Sequence, residues 1–536
     1  MRRSTSTDSD ENDEADEAVS ENRGSIQPIV AGSAGLAARH TVLGAVTSFL
    51  GLLARLVRPV FWIAAIRLYG PDAAGQFAIA VALLELTRQF TSSGIADAVV
   101  LFTSREIGRP DGEDRLYQAL ATAIWLTAVT GAVVVGFVLL GGHIWIATFT
   151  QRELLGGWGV ILVWGIPLLA LAETLIAATR AHMVMKWHAL ILGALQPGLQ
   201  VAFVLLFYSL GFGANGLAWA WLLGIACTLL AALPVFGHYF DLSRLALHVL
   251  RPRWHGELMR FTWPQNLNMT FNYFATNLDV LMLAALSVPS AQIALYYAAV
   301  QLTRNLRSIK VAFGLSFGPV IARFHVDRRT AELATMYHEL SRLALSLVLP
   351  ATLVVGALQA DLLRLFDPSF TDRTGFVFLL LALPILSCGL GLSGNIVVMT
   401  GLSGWNALNS IVAALLNFTL NLWLIPAHGL LGAALATLLA AAFVQGLTLL
   451  ELRWLLHIRV APAQLLRPLA GAALIAAGLF LAIPRCSGTG QRLVVTALAL
   501  LAYFGWMWRV GMRPDERERV LRRLDRGGDG RRAGLA

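Results

Sequence analysis

From about residue 42 to residue 510 the chain is a succession of apolar runs, each near the ~20 residues a helix needs to cross a bilayer. Gly/Pro punctuation or clusters of arginine separate most of them. We read about fourteen such runs, approximately 42–66, 74–99, 116–140, 158–180, 187–210, 214–237, 262–286, 291–313, 343–361, 375–399, 405–424, 430–451, 465–484 and 492–510. The pattern also repeats. Gly213-Ala214-Asn215-Gly216-Leu217-Ala218-Trp219-Ala220 and Gly429-Leu430-Leu431-Gly432-Ala433-Ala434-Leu435-Ala436 share G-x-x-G-x-A-x-A, and 429 − 213 is 216. Glu85-Leu86-Thr87-Arg88 recurs as Gln301-Leu302-Thr303-Arg304, and 304 − 88 is again 216. Two matches at one offset predict a duplicated unit, too long for a solenoid repeat and of the size of a transporter half. An even number of spans per copy gives both halves the same orientation.

The predicted class is an all-α polytopic membrane protein of about fourteen transmembrane helices. They form two parallel-repeat six-helix lobes plus two C-terminal helices. The expected divisions are an acidic tail over 1–37, a first lobe over 38–240, a cytoplasmic linker over 241–261, a second lobe over 262–460, two further spans over 461–511 and a basic tail over 512–536.

Composition agrees: 57% of residues are apolar, 14% are charged, and the mean hydropathy is +0.66. The formal charge of +9 follows the membrane. With the N-terminus inside, Arg105, Arg109, Arg115, Arg180, Arg251, Arg253, Arg323, Arg328 and Arg329 are among many basic residues in inside loops. Outside loops hold only Arg67, Arg152, Arg364, Arg373, Arg485 and Arg492. That asymmetry is the positive-inside pattern, with both termini cytoplasmic. No basic face with interleaved aromatics stands outside the membrane, so a nucleic-acid partner is not expected. The N-terminal run Asp8, Asp10, Glu11, Asp13, Glu14, Asp16, Glu17 has little to bury and reads as a disordered tail without signal-peptide character. Residues Pro514 to Leu524 read as a short basic amphipathic helix, and Asp241 to Arg260 as an interfacial one. Cys227, Cys388 and Cys486 make neither a disulfide framework nor a metal spacing, the histidines are scattered, and no Walker-type phosphate loop is present. No metal or cofactor is expected.

Candidate chemistry lies in ionisable residues at membrane depth, where each costs roughly 2.5–3.5 kcal/mol to insert. They are Arg55 and Arg58 in the first span, Glu85, Arg88 and Asp97 in the second, Glu173 in the fourth, Asp279 in the seventh, and Arg304, Arg307 and Lys310 in the eighth. At ~1.5 Å per residue, Arg88 and Arg304 lie roughly 20 Å below the outer surface, so the repeat would place them face to face across a cavity. Two readings fit Glu85 and Arg88: a self-neutralising i,i+3 pair, or a cavity arginine. Asp279 is a counter-ion candidate for Arg304 or Arg307. Glu173 is either a coupling carboxylate or a packed neutral acid. Lys310 and Asp97 read as snorkelling groups. The excess of Arg55, Arg58, Arg88, Arg304 and Arg307 over acidic partners favours an anionic ligand, because arginine forks suit phosphate oxygens.

The stretch Arg67-Leu68-Tyr69-Gly70-Pro71-Asp72-Ala73-Ala74-Gly75-Gln76-Phe77 resembles the R-x-x-G-P-x-x-x-G-x-a segment of bacterial polysaccharide flippases. Ser93-Gly94-Ile95-Ala96-Asp97-Ala98 resembles the segment closing their second span. The resemblance covers about residues 38 to 510. It places the chain in the superfamily shared with multidrug extrusion proteins and peptidoglycan-precursor flippases. It implies a V of two lobes, alternating access in a bacterial inner membrane, and an undecaprenyl-pyrophosphate-linked oligosaccharide as cargo. Membrane lipids, polysaccharide polymerases and glycosyltransferases are the implied partners. In the peptidoglycan-precursor members, arginines on the first, second and eighth spans line the cavity, and Arg55, Arg58, Arg88 and Arg304 occupy comparable spans. A multidrug cation antiporter shares the fold, but the arginine excess disfavours it. A membrane glycan polymerase or ligase would need a large catalytic outer loop, and none here exceeds roughly 20 residues.

Overall fold

The computed structural model describes residues 57–511, apart from 108, 110–111, 145–152, 183, 185, 252, 371–373, 401 and 459–462. The expected tails, the amphipathic segment after Pro514 and Arg55 lie outside the described residues. Every regular element among the described residues is helical. That outcome follows from the solvent: in hydrocarbon each backbone N–H and C=O must find its partner within its own segment.

The first half contains α1 (Val57–Tyr69), α2 (Pro71–Glu106), α3 (Gly112–Phe137), α4 (Glu153–Leu162), α5 (Gly165–Arg180), α6 (Gln196–Ser209) and α7 (Asn215–Tyr239). A short α8 (Leu242–Leu250) links it to the second half. There follow α9 (Gly256–Ala285), α10 (Ser290–Arg304), α11 (Ser308–Val326), α12 (Thr330–Ala357), α13 (Gln359–Arg364), α14 (Phe376–Gly389), α15 (Leu392–Met399), α16 (Ser403–His428) and α17 (Leu430–Leu455). Helices α18 (Ala463–Ala482) and α19 (Thr489–Trp506) close the chain and pack on α12.

The expected spans overlie these helices, the fourth, eighth, ninth and tenth each divided between two of them and the first met only through its C-terminal part. Nine segments of the described residues are long and apolar enough to cross a membrane, or ten when the pair α14/α15, bent by 42°, counts as one. The expected spans over α1, α2, α9 and α10/α11 do not meet that test among the described residues. Helices α2 and α11 also run to Glu106 and Val326, beyond the 74–99 and 291–313 that hydropathy outlines.

Neighbour relations recur between the halves. Helix α1 packs on α6 as α9 packs on α16, and α2 packs on α5 as α10 packs on α14. The α5–α7 and α6–α7 contacts have counterparts in α14–α17 and α16–α17. The turns match as well: Gly213 and Gly429, 216 residues apart, hold φ of 56° and 57°. Such left-handed backbone suits glycine.

Two glycine notches on α2 join the halves. At one end Gly75 lies against the Ser290 carbonyl, where a Cβ would collide with backbone. There Arg67 Nε also donates to the Leu365 carbonyl at 2.8 Å, and the Ala291 N–H donates to Asp72 at 3.2 Å. At the other end Gly94 fits against Asn266 and Thr262 of α9, and Gln265 donates to Asp97 at 2.9 Å. Asp97 therefore bonds across the halves, where snorkelling was expected. A shared aromatic core crosses the same interface, with Trp62 and Tyr297 rings 4.3 Å apart.

Candidate functional site between the halves

The first half's charges gather on Arg88, which is 6% exposed. Its Nε donates to Glu85 Oε2 at 3.0 Å, one turn earlier on α2, and its guanidinium also pairs with Glu173 on α5. The structure thus takes the self-neutralising reading of Glu85 and Arg88 and adds a second carboxylate from 85 residues further along the chain. Arg58 lies within electrostatic reach of both carboxylates. Beside the triad is a cavity of about 240 Å³, lined among others by Arg88, Asp97, Glu173, Arg180, His188 and Met269.

The second half differs. Arg304 donates to the side-chain carbonyl of Asn277 on α9. Asp279, expected as the counter-ion of Arg304 or Arg307, accepts from the Tyr296 hydroxyl at 2.5 Å. Among the described residues neither arginine forms an ion pair with it. Arg307 makes no hydrogen bond or ion pair among the described residues. Asp279 acts on Arg307 only at a distance, and a guanidinium below the surface whose N–H groups no carboxylate holds is suited to receive an anion.

Lys310, expected to snorkel, instead turns inward to the break between α14 and α15. Its Nζ would stand 2.8 Å from a Cβ at Gly391, near the Ser387 carbonyl, which itself accepts the Gly391 N–H at 3.0 Å. A cation suits such a helix end, where carbonyls lack intrahelical partners.

Tyr273 and Tyr297 bridge the two clusters. Tyr273 lies within electrostatic reach of Glu85, Arg88 and Arg304, and Tyr297 within reach of Arg58 and Arg304. The sequence reading missed both tyrosines, together with Asn277 and Tyr296. A signal was present: α9 carries Gln265, Asn266, Asn268, Asn272, Tyr273 and Asn277 within a predicted span, and such polar residues mark a bundle-facing surface.

Two like helical halves enclosing buried charge define a membrane transport fold. Solved structures agree on that architecture. One described as "Lipid II flippase MurJ, inward closed conformation" superposes with a TM-score of 0.68 at 13% identity, covering 87% of this chain and 99% of that one. An inward-facing multidrug resistance MATE family transporter of the MOP superfamily gives 0.64 at 13% identity over 76% of this chain and 94% of that one. An outward-facing structure of a transporter described in the same words gives 0.54 at 14% identity, again with 76% and 94% covered. No curated protein sequence matches the chain. The family model described as "Polysaccharide biosynthesis protein" matches residues 44–325, and the chain belongs to that family.

Proposed function

We propose that the protein is a flippase that carries an undecaprenyl-pyrophosphate-linked oligosaccharide outward across the bacterial inner membrane by alternating access. The observation that carries this reading is Arg307, next to Arg304 in the second half, which makes no hydrogen bond or ion pair among the described residues and has Asp279 only within electrostatic reach. A pyrophosphate will not cross hydrocarbon, whereas its prenyl tail is already at home there. The protein therefore needs to shelter only the head group, between lobes spanning 38–240 and 262–460. The fourteen-span topology with both termini cytoplasmic belongs to the same proposal. An inside-negative potential helps move an anion outward, by about 2.3 kcal/mol per charge per 100 mV. The groups named here bind and steer a cargo, and the proposal assigns them no bond-making role.

The halves touch at two places along α2, about Gly75 and about Gly94. Rocking then means opening the Arg67, Asp72 and Gly75 contacts on one side, or the Gly94, Asp97 and Asn266 contacts on the other.

One observation favours a second reading, export of an organic cation: the Glu85–Arg88–Glu173 cluster holds two carboxylates for one arginine. Proteoliposomes separate the two. Translocation of a fluorescent prenyl-pyrophosphate oligosaccharide, unaffected by ethidium, supports the flippase. Ethidium transport without translocation of the lipid overturns it.

A further inference from the structure

The linker helix α8 has two apolar faces, and only one is covered by protein. On the covered face Leu245 is buried, and Trp125 Nε1 donates to the Val249 carbonyl at 2.8 Å. Arg244 pairs with Glu113, and His248 Nε2 meets Asp114 at 2.9 Å. Asp241 caps the helix through the Ser243 N–H at 2.9 Å, so it too is engaged. On the other face Leu242, Leu247 and Leu250 stand exposed, Leu250 at 79%. The exposed stripe continues through Trp254 to Met259, Trp263 and Leu267 on α9. Flanking it are Arg251, Arg253 and Arg260, all exposed and in no ion pair among the described residues. The nearby acids are taken, except Glu257 at the start of α9. Three arginines against one glutamate leave this strip with a net charge of +2.

We propose that α8 and its three following arginines form a binding surface for anionic phospholipid, with the leucines and Trp254 in the acyl boundary and the guanidinium groups on the lipid phosphates. An amphipathic helix that ends in tryptophan and arginine takes this position at a membrane surface. Three facts favour lipid over a protein partner here: the charge complementarity, the fork-like fit of guanidinium to phosphate, and the run of exposed apolar side chains from α8 through Trp254 to Met259, Trp263 and Leu267 of α9. Because α8 joins the halves, the bound lipid would hold their link at the bilayer surface while the halves rock.

The test uses the full chain in nanodiscs at fixed pH. Hydrogen–deuterium exchange of the 242–255 segment is compared in phosphatidylcholine alone and in phosphatidylcholine containing phosphatidylglycerol. The expected result is slower exchange with phosphatidylglycerol, reversed by high salt. The variant Arg251→Gln/Arg253→Gln/Arg260→Gln should lose the difference. Phosphatidylglycerol affinity should fall about 100-fold, near five-fold per arginine at low salt. Equal exchange in both lipids overturns the proposal. So does protection by soluble glycerol phosphate in phosphatidylcholine discs, which would make the arginines a site for a free anion. Should the variant fail to fold, the wild-type lipid comparison still decides.

Discussion

Arg88 and Arg304 stand one 216-residue step apart, yet one is caged by carboxylates and the other is not. Around Arg88 stand Glu85 and Glu173. A step of 216 residues turns these into Gln301 and Gly389, so the second half has no carboxylate at either place. The same step turns Thr91 into Arg307 and Gly94 into Lys310. Duplication thus produced one neutralised half and one cationic half. Arg88 ties α2 to α5 and is a poor anion site, because a ligand must first displace two carboxylates. On the proposed function, Arg304 and Arg307 are the better site.

The largest effect expected from this contrast is on stability. Arg88→Ala leaves two half-buried carboxylates with only the more distant Arg58 charge in reach and should cost about 3 kcal/mol, the low end for breaking a buried pair, read as a lowered midpoint in thermal unfolding of purified protein. Adding Glu85→Gln and Glu173→Gln should recover most of that loss. A single Arg88→Ala variant as stable as wild type would remove the cage from the account. Next comes Lys310→Met, which strips the cation from the α14/α15 break and should cost about 1–3 kcal/mol. A change within ~0.5 kcal/mol, as for an ordinary surface site, would return Lys310 to a snorkelling role.

Gln301→Glu sharpens the contrast by rebuilding half of the cage beside Arg304. Anion affinity should fall about ten-fold, on the order of 1.4 kcal/mol, with little change in unfolding midpoint. Unchanged affinity would mean that Arg304 does not touch the ligand.

The fold was legible because depth and repeat are written in one dimension. The apolar runs, the 216-residue offset and the linker helix all follow from spacing along the chain. The site was legible only as a set of depths. Spacing could pair Glu85 with Arg88, three residues apart, but could not bring Glu173 to the same guanidinium, since that needs the azimuth of α5 about its axis. For the same reason Asp279 was matched to arginine by charge, when its nearest donor was the Tyr296 hydroxyl. Lys310 looked peripheral because the eighth span seemed to end at residue 313, whereas α11 continues to Val326.

The smallest effect expected is a pH dependence at α8. The Arg244 carbonyl and then Asp114 hold the His248 imidazole above its usual range. The protonated ring donates to both, so its contribution to docking α8 on α3 is complete below about pH 6.5. It is lost as pH rises through the raised value. Exchange of 242–250, corrected for intrinsic rates, should speed up from pH 6 to pH 8.5 in wild type and stay level in His248→Gln. A wild-type segment that exchanges equally at both pH values would show that this contact does not hold the helix.

The central claim is that the uncaged arginines of the second half hold the anion. Its most direct test is the affinity of purified protein for undecaprenyl pyrophosphate in Arg304→Ala/Arg307→Ala against the triple neutralised variant Arg88→Met/Glu85→Gln/Glu173→Gln. The account predicts at least a ~30-fold loss in the first, about 2 kcal/mol, and less than ~3-fold change in the second. Equal affinity in wild type and Arg304→Ala/Arg307→Ala, with loss confined to the triple variant, would contradict it.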